Sequence, residues 1–134
     1  MTYPAAPSMI RVLLVDDHTM VREGIRSVLE SYPDIEVAGE ASDGEEAFQM
    51  VGVLCPSVVV MDINMPRLNG IEATVKIKKI YPNVAIVGLS VEADEAYRKA
   101  MTAAGARCLI SKSMAVEELY LAIRASIPPL PLAA

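Results

Sequence analysis

The chain has 134 residues, a formal net charge of −5 and 53% hydrophobic residues. This length fits one domain with one core, and the negative charge argues against nucleic-acid binding by that domain, because phosphate contacts need a basic face. The mean hydropathy of +0.36 is explained by a sheet buried on both faces. No apolar stretch approaches the roughly 18 residues of a membrane span, and no secretory signal is recognisable, so a cytoplasmic location is expected.

Both ends of the chain differ in composition from its middle. Residues 1–8 form a lead-in of small residues and prolines, and residues 128–134 are rich in proline. Because proline stops helices and favours extended linkers, we predict a disordered lead-in, a domain over residues 9–127, and a tail or linker after it. Cys55 and Cys108 lack metal-ligand spacing, and we expect both to be reduced, buried apolar groups.

Strand and helix patterns alternate between these ends. Short apolar runs predict strands, and apolar residues at helical spacing predict the helices between them. The predicted strands lie at 10–15, at about 35–40, and in the apolar runs that lead to Asp62, Ser90 and Lys112. The predicted helices lie at about 19–31, 44–51 (with Asp43 as N-cap), 71–80, 94–104 and 115–126. Strict alternation predicts an α/β fold with a five-stranded parallel sheet and five helices on its two faces.

Four of the apolar runs lead into residues that phosphoryl chemistry uses. Asp16 and Asp17 follow the first run, Asp62 and Ser90 end two others, and Lys112 follows the last. Ligands of open α/β sheets bind outside the carboxyl ends of the strands. Three carboxylates, a hydroxyl and an ammonium group are therefore expected at one edge of the sheet.

The three carboxylates predict a divalent cation. With the ammonium group they leave a charge of −2, which Mg²⁺ would neutralise, and Mn²⁺ is a second candidate. We predict Asp17 and Asp62 as direct ligands, the backbone carbonyl of Asn64 as a third, and Asp16 as a ligand through water.

Asp62 is the candidate nucleophile, since a carboxylate can attack phosphorus and form an aspartyl phosphate. Ser90 can donate a hydrogen bond to the phosphoryl group, and Lys112 supplies a positive charge to the phosphoryl or carboxylate oxygens. A lone aspartate at the end of a strand is more often a turn residue or a helix cap. The convergence of several such groups on one edge is what favours a functional role.

The sequence resembles a two-component response-regulator receiver domain over nearly all of residues 9–127, and in particular receivers joined to LuxR-type (NarL/FixJ-like) output domains. The motifs that carry the resemblance are Val15-Asp16-Asp17-His18, Val60-Met61-Asp62-Ile63-Asn64-Met65-Pro66, Gly70-Ile71-Glu72-Ala73-Thr74, Leu89-Ser90 and Lys112. The resemblance implies a flavodoxin-like sheet of order 2-1-3-4-5. It also implies Mg²⁺-dependent transfer of a phosphoryl group to Asp62 from a histidine kinase or phosphotransfer protein, followed by slow self-catalysed hydrolysis.

The chain departs from the receiver pattern at Leu109, where the family usually has the Tyr or Phe of its conformational switch. Two positions that tune hydrolysis in the family are Asn64 and Glu92, whose polar side chains can orient the attacking water. Val91 opposes this effect, because a branched side chain beside the phosphoryl group narrows access, and we predict an intermediate lifetime. For His18 we favour a structural role at the helix start, because one histidine without a His or Cys partner makes a poor transition-metal site.

Alternative functions remain open at this point. A pseudo-receiver that acts only as a protein-interaction module is favoured by Leu109 and opposed by the intact site. A hydrolase with an aspartate nucleophile usually carries a second Asp two residues later, where Asn64 stands here. A nucleotide-binding enzyme is disfavoured because neither glycine-rich phosphate-binding motif occurs.

The output of the domain is not apparent from the sequence. No helix-turn-helix follows the last helix, so we expect DNA binding only through a separate output domain. A receiver cut from a transcription regulator, the terminal receiver of a hybrid kinase and a stand-alone regulator all fit the sequence. A homodimer is also compatible with it.

Overall fold

The alternating pattern folds into a parallel five-stranded sheet with helices on both faces. The structure, a computed structural model, describes residues 9–128. The strands are β1 (Ile10–Val15), β2 (Ile35–Ala41), β3 (Val58–Asp62), β4 (Ala85–Ser90) and β5 (Cys108–Ser111). The helices are α1 (Thr19–Glu30), α2 (Gly44–Leu54), α3 (Gly70–Ile80), α4 (Glu95–Ala104) and α5 (Ala115–Ser126). The strand order is β2-β1-β3-β4-β5, as the resemblance implied.

Most boundaries lie within a residue or two of the prediction. Helix α2 runs three residues further than expected, to Leu54, and a short 3-10 helix at Lys112–Met114 was not predicted. The expectation for the cysteines was wrong for Cys55, which is exposed, while Cys108 is half-buried. Cys55 is the C-cap residue that follows α2, with a φ of 49°, so it lies at the helix end and not on the buried face of the helix. The predicted lead-in and the tail beyond residue 128 lie outside the described residues.

The core consists of two apolar layers, one on each face of the sheet. On β1, Val12 and Leu14 face the layer formed with α1 and α5, whereas Leu13 and Val15 face the layer formed with α2, α3 and α4. This alternation follows from the two-residue period of a strand. Both faces of the central strands are thus covered, which accounts for their uninterrupted apolar sequence. Among the described residues, no helix is long and apolar enough to cross a membrane.

The register of the strands brings the polar strand ends together. Val15 of β1 pairs with Met61 of β3, so the next residues, Asp16 and Asp62, lie side by side. On the other side of β3, Asp62 pairs with Leu89, which precedes Ser90 in β4. Ser90 in turn pairs with Ser111 at the end of β5, and Lys112 follows directly.

Candidate functional site

The carboxyl edge of the sheet holds a cluster of buried charged groups. Lys112 Nζ lies 2.8 Å from Asp16 Oδ2 and 3.2 Å from Asp62 Oδ1. Both aspartate side chains are about 3% exposed and the lysine side chain 15%. One ammonium group is therefore shared by two buried carboxylates, and the cluster keeps an excess of negative charge.

Asp62 is a buried carboxylate with one oxygen left without a hydrogen bond in the part of the chain that the structure describes. Its Oδ2 is buried and has no hydrogen-bond partner among the described residues. Burial, and after it the charge of Asp16, raise the pKa of Asp62 to about 6, although Lys112 and the backbone amide of Asn64 oppose the rise. Burial lowers the pKa of Lys112, but the hydrogen bond and charge of Asp16 and the charge of Asp62 outweigh it, so its pKa is raised. Asp62 is thus destabilised as an anion and open to a further cationic partner.

Asp17 and His18 extend the cluster toward the surface. The Oδ1 atom of Asp17 is buried without a hydrogen-bond partner, and His18 Nδ1 lies 3.0 Å away, outside hydrogen-bond geometry. One donor atom from each of Asp16, Asp17, His18 and Asp62 lies within 4.8 Å of the others. Two buried oxygens without partners and an excess of negative charge fit a hard divalent cation such as Mg²⁺.

His18 lies at the helix start, where the sequence placed it, and its backbone carbonyl accepts a hydrogen bond from the Arg22 N–H at 3.0 Å. It occupies the N-cap position of α1, but its side chain makes no capping hydrogen bond. Its backbone N–H donates instead to Asp16 Oδ1 at 2.8 Å, and its ring lies 3.3 Å from the same oxygen. The backbone of His18 therefore begins α1, and its side chain lies against the acidic cluster.

The loop after Asp62 depends on a close backbone contact at Gly70. A Cβ atom at this position would lie 2.0 Å from the carbonyl oxygen of Asp62, so only glycine fits. The Gly70 N–H donates to the carbonyl oxygen of Ile63 at 2.8 Å, and Asn69 and Glu72 form a capping box at the start of α3. Asn64, in the same loop, is exposed. The loop is thereby fixed against the end of β3.

Ser90 is completely buried, and its hydroxyl bonds to its own loop. Ser90 Oγ donates to the carbonyl oxygen of Glu92 at 2.8 Å and accepts from the Glu92 N–H at 3.2 Å. Val91 and Glu92 are exposed, Val91 by 73%. A hydrogen bond from Ser90 to any ligand would require the hydroxyl to leave the Glu92 carbonyl.

Leu109, at the position of the usual switch aromatic, is part of the core. It is 6% exposed and pairs with Gly88 of β4. A Cβ at Gly88 would lie 2.9 Å from Leu109 Cδ1 and 2.8 Å from Met101 Cε, so these two side chains fill the space over the glycine. Leu109 thus packs against β4 and α4 on the described structure.

Two residues that fix the backbone of the site, Gly70 and Arg22, were given no physical role from the sequence. Gly70 entered only as part of a motif, and no signal in the sequence showed its contact with the Asp62 carbonyl. Arg22 was not noticed: its guanidinium donates to the backbone carbonyl of Asp16 and pairs with Glu40 at 3.2 Å. A basic residue in the first turn of α1, five residues after Asp17, is the signal that could have found it.

Comparison with known proteins gives a consistent result. The family profile of the response regulator receiver domain matches residues 12–124. The response regulator UvrY of Escherichia coli is 44% identical over 116 residues, which are 87% of this chain and 53% of UvrY. The transcriptional regulatory protein LiaR of Bacillus subtilis is 43% identical over 118 residues, covering 88% of this chain and 56% of LiaR. The chain therefore spans about half the length of these relatives.

The solved structures agree with the sequence relatives. The response regulator domain of Thermotoga maritima CheB superposes with a TM-score of 0.84 at 34% identity, over 90% of this chain and 99% of that one. A LuxR-family two-component response regulator from Aurantimonas has a TM-score of 0.84 at 37% identity, over 88% of this chain and 84% of that one. The chain belongs to the receiver domain family of two-component response regulators, and its relatives include LuxR-type transcription regulators.

Proposed function

We propose that this receiver accepts a phosphoryl group on Asp62 from a histidine kinase or phosphotransfer protein and thereby switches a signalling output. The observation that carries the proposal is the buried Asp62 carboxylate beside Lys112, whose Oδ2 has no hydrogen-bond partner within residues 9–128. A carboxylate kept in this state can form a new bond to phosphorus at little cost in existing contacts.

The same cluster would hold Mg²⁺, or Mn²⁺ in its place. The direct ligands would be Asp17, Asp62 and the backbone carbonyl of Asn64, with Asp16 acting through water. When bound, the ion neutralises charge on the carboxylates and on the phosphoryl oxygens. The partnerless oxygens of Asp17 and Asp62 support this assignment.

In the transfer step, a carboxylate oxygen of Asp62 attacks phosphorus while the P–N bond of the phosphohistidine donor breaks. The electron pair of that bond stays with the imidazole of the donor, and the new P–O bond forms the aspartyl phosphate. Lys112 is close enough to Asp62 to neutralise charge on a phosphoryl oxygen. Ser90 would donate its hydroxyl to the phosphoryl group after leaving the carbonyl of Glu92.

Hydrolysis of the aspartyl phosphate would proceed without a further enzyme. Water attacks phosphorus and the P–O bond to Asp62 breaks, which releases inorganic phosphate and a proton and regenerates the carboxylate. The exposed side chains of Asn64 and Glu92 are available to orient this water, whereas Val91 restricts its approach. The chemistry is thus limited to self-phosphorylation and autodephosphorylation, and the chain is not a turnover enzyme.

The output would lie in another domain or partner. Relatives named as transcriptional regulators are about twice as long as the matched region. DNA binding would therefore come from a separate output domain. Homodimerisation of the receiver is one means by which phosphorylation could be coupled to that domain. Both steps would take place in the cytoplasm, where the kinase domain acts. A second candidate function is a pseudo-receiver, a protein-interaction module whose phosphorylation no longer drives the switch. It is favoured by Leu109, which packs in the core at the position of the usual switch aromatic.

The first test is the intact mass of the protein after incubation with Mg²⁺ and acetyl phosphate. We expect one added phosphoryl group, absent with EDTA and absent in Asp62→Asn. The matched control is Asp43→Asn, since Asp43 is also buried but lies at the start of α2. This variant should be phosphorylated like the parent.

Two results would overturn the proposal. Phosphorylation that persists in Asp62→Asn would place the acceptor elsewhere. No adduct in the parent protein, together with no NMR shifts on adding beryllofluoride and Mg²⁺, would favour the pseudo-receiver instead.

A further inference from the structure

His18 is the one histidine of the chain, and its ring lies against the acidic cluster. Nδ1 is 3.0 Å from Asp17 Oδ1 and 3.3 Å from Asp16 Oδ1. The side chain is 66% exposed, so packing does not force it into this position. Since it makes no capping hydrogen bond on α1, the acidic cluster is its one polar neighbourhood on the described structure.

The donor atoms lie almost as close together as the ligands of one ion. With metal–ligand distances of about 2.1 Å, neighbouring octahedral ligands lie about 3 Å apart and opposite ones about 4.2 Å apart. The donor atoms of Asp16, Asp17, His18 and Asp62 all lie within 4.8 Å of one another. Asp62 adds an independent sign of a ligand, because its side chain is 3% exposed and its Oδ2 has no partner.

We infer that His18 Nδ1 is a ligand that extends the metal site to borderline transition ions such as Co²⁺ and Zn²⁺. Imidazole binds these ions well, whereas Mg²⁺ prefers oxygen donors and gains little from a ring nitrogen. His18 thus sets which ion the pocket prefers, while the carboxylates bind either class. The inference rests on the proposed metal site.

The competing explanation is that the ring serves only as a hydrogen-bond partner of the carboxylates. In that case removing it would change the affinity for all divalent ions in the same direction and by the same factor. A ligand role predicts a change that depends on the ion. The selectivity between Co²⁺ and Mg²⁺ therefore separates the two explanations.

The experiment is calorimetric titration of the metal-free protein with Co²⁺ and with Mg²⁺, for the parent and for His18→Phe. Phenylalanine keeps a ring but removes both nitrogens, and the exposed position does not endanger folding. We expect the Co²⁺ affinity to fall about tenfold or more and the Mg²⁺ affinity to change by about twofold at most. Asp17→Asn is the control and should weaken binding of both ions.

Proton NMR of the Co²⁺-loaded parent gives a second readout. A coordinated imidazole should show strongly shifted ring protons, and with one histidine in the chain these belong to His18. If the parent binds Mg²⁺ but shows no shifted imidazole signals, or if His18→Phe weakens both ions equally, His18 is not a ligand. If the parent binds neither ion, the proposed metal site itself is wrong.

Discussion

Two aspartates of this chain are equally buried but differ in how their oxygens are satisfied. The side chains of Asp43 and Asp62 are each about 3% exposed. Asp43 accepts a hydrogen bond from the Glu46 N–H at 2.9 Å and a second from the Arg67 guanidinium. Asp62 has Lys112 Nζ at 3.2 Å from Oδ1, and its Oδ2 has no hydrogen-bond partner among the described residues.

The pKa values of the two carboxyl groups move in opposite directions. The backbone hydrogen bond from Glu46, aided by Arg67, lowers the pKa of Asp43, whereas burial and Asp16 raise that of Asp62 to about 6. A buried carboxylate with both oxygens bonded stabilises the fold. A buried carboxylate with an oxygen that lacks a hydrogen bond lowers the stability of the fold, and such carboxylates are typical of functional sites.

The largest expected effect comes from two glycines that make close backbone contacts, Gly70 with Asp62 itself and Gly44, next to Asp43, with Leu68. A Cβ at Gly70 would lie 2.0 Å from the Asp62 carbonyl oxygen, and one at Gly44 would lie 2.3 Å from the Leu68 carbonyl oxygen. Because backbone must move in both cases, Gly70→Ala and Gly44→Ala should each lower the free energy of unfolding by about 3 kcal/mol or more. Urea denaturation measures this loss.

The two glycine variants should differ at the acidic cluster. Gly70→Ala displaces the strand end that carries Asp62 and should shift the carboxyl carbon resonance of that residue, whereas Gly44→Ala should leave it in place. Equal shifts of the Asp62 carboxyl resonance in both variants would mean that a change at the start of α2 is transmitted to the end of β3.

Neutralising each aspartate should change stability in opposite directions at pH 7.5 without metal. A rise in pKa from 3.8 to about 6 corresponds to at most about 3 kcal/mol of unfavourable burial, so Asp62→Asn should stabilise the protein by about 1–3 kcal/mol. Asp43→Asn keeps an N-cap acceptor but loses the charged bond to Arg67, and should destabilise by roughly 0.5–1 kcal/mol. Thermal and urea unfolding would both report the difference.

A destabilised Asp62→Asn would contradict this comparison. It would mean that the contact between Lys112 and Asp62 contributes more to stability than the burial of the charge takes away.

The carboxyl groups of Asp43 and Asp62 should also have opposite effects on the pH dependence of stability. Between about pH 4 and 6 the folded protein keeps a proton on Asp62 that the unfolded chain has lost, so this group makes stability fall as the pH rises through that window. Asp43 has a lowered pKa, so its contribution is present above about pH 4 and is lost as the pH falls through its folded value. Unfolding measured from pH 3 to 8 in the parent and in Asp62→Asn tests this, since the variant should lack the decline between pH 4 and 6.

The sequence predicted the convergence at the sheet edge because it depends on local patterns. Apolar runs locate Asp16, Asp62 and Lys112 at strand ends, and parallel strands bring those ends to one edge. Asp43 was likewise predicted as an N-cap, and its bond to the Glu46 N–H confirms this. Periodicity and capping are properties of a few neighbouring residues, so they can be predicted without the fold.

What escaped prediction depends on contacts between distant segments. Neither the approach of Gly70 to the Asp62 carbonyl nor the pairing of Arg67 with Asp43 can be deduced from spacing alone. The position of His18 at the helix start could be predicted because an N-cap is a local feature. The contacts of its ring with Asp16 and Asp17 could not, because they depend on the orientation of those two side chains.

The smallest expected effect concerns access to Asp62. Arg67 covers Asp43 with an ion pair, whereas the 73% exposed side chain of Val91 stands beside the strand end that carries Ser90. If Val91 restricts the water that attacks the aspartyl phosphate, Val91→Ala should shorten its lifetime about twofold to fivefold, equivalent to roughly 0.4–1 kcal/mol in the barrier. The decay of the phosphorylated mass after removal of acetyl phosphate gives this rate. Arg67→Ala is the control and should leave the rate unchanged, because the Arg67 side chain pairs with Asp43 and not with Asp62. An unaltered rate in Val91→Ala would show that the access of water does not limit hydrolysis.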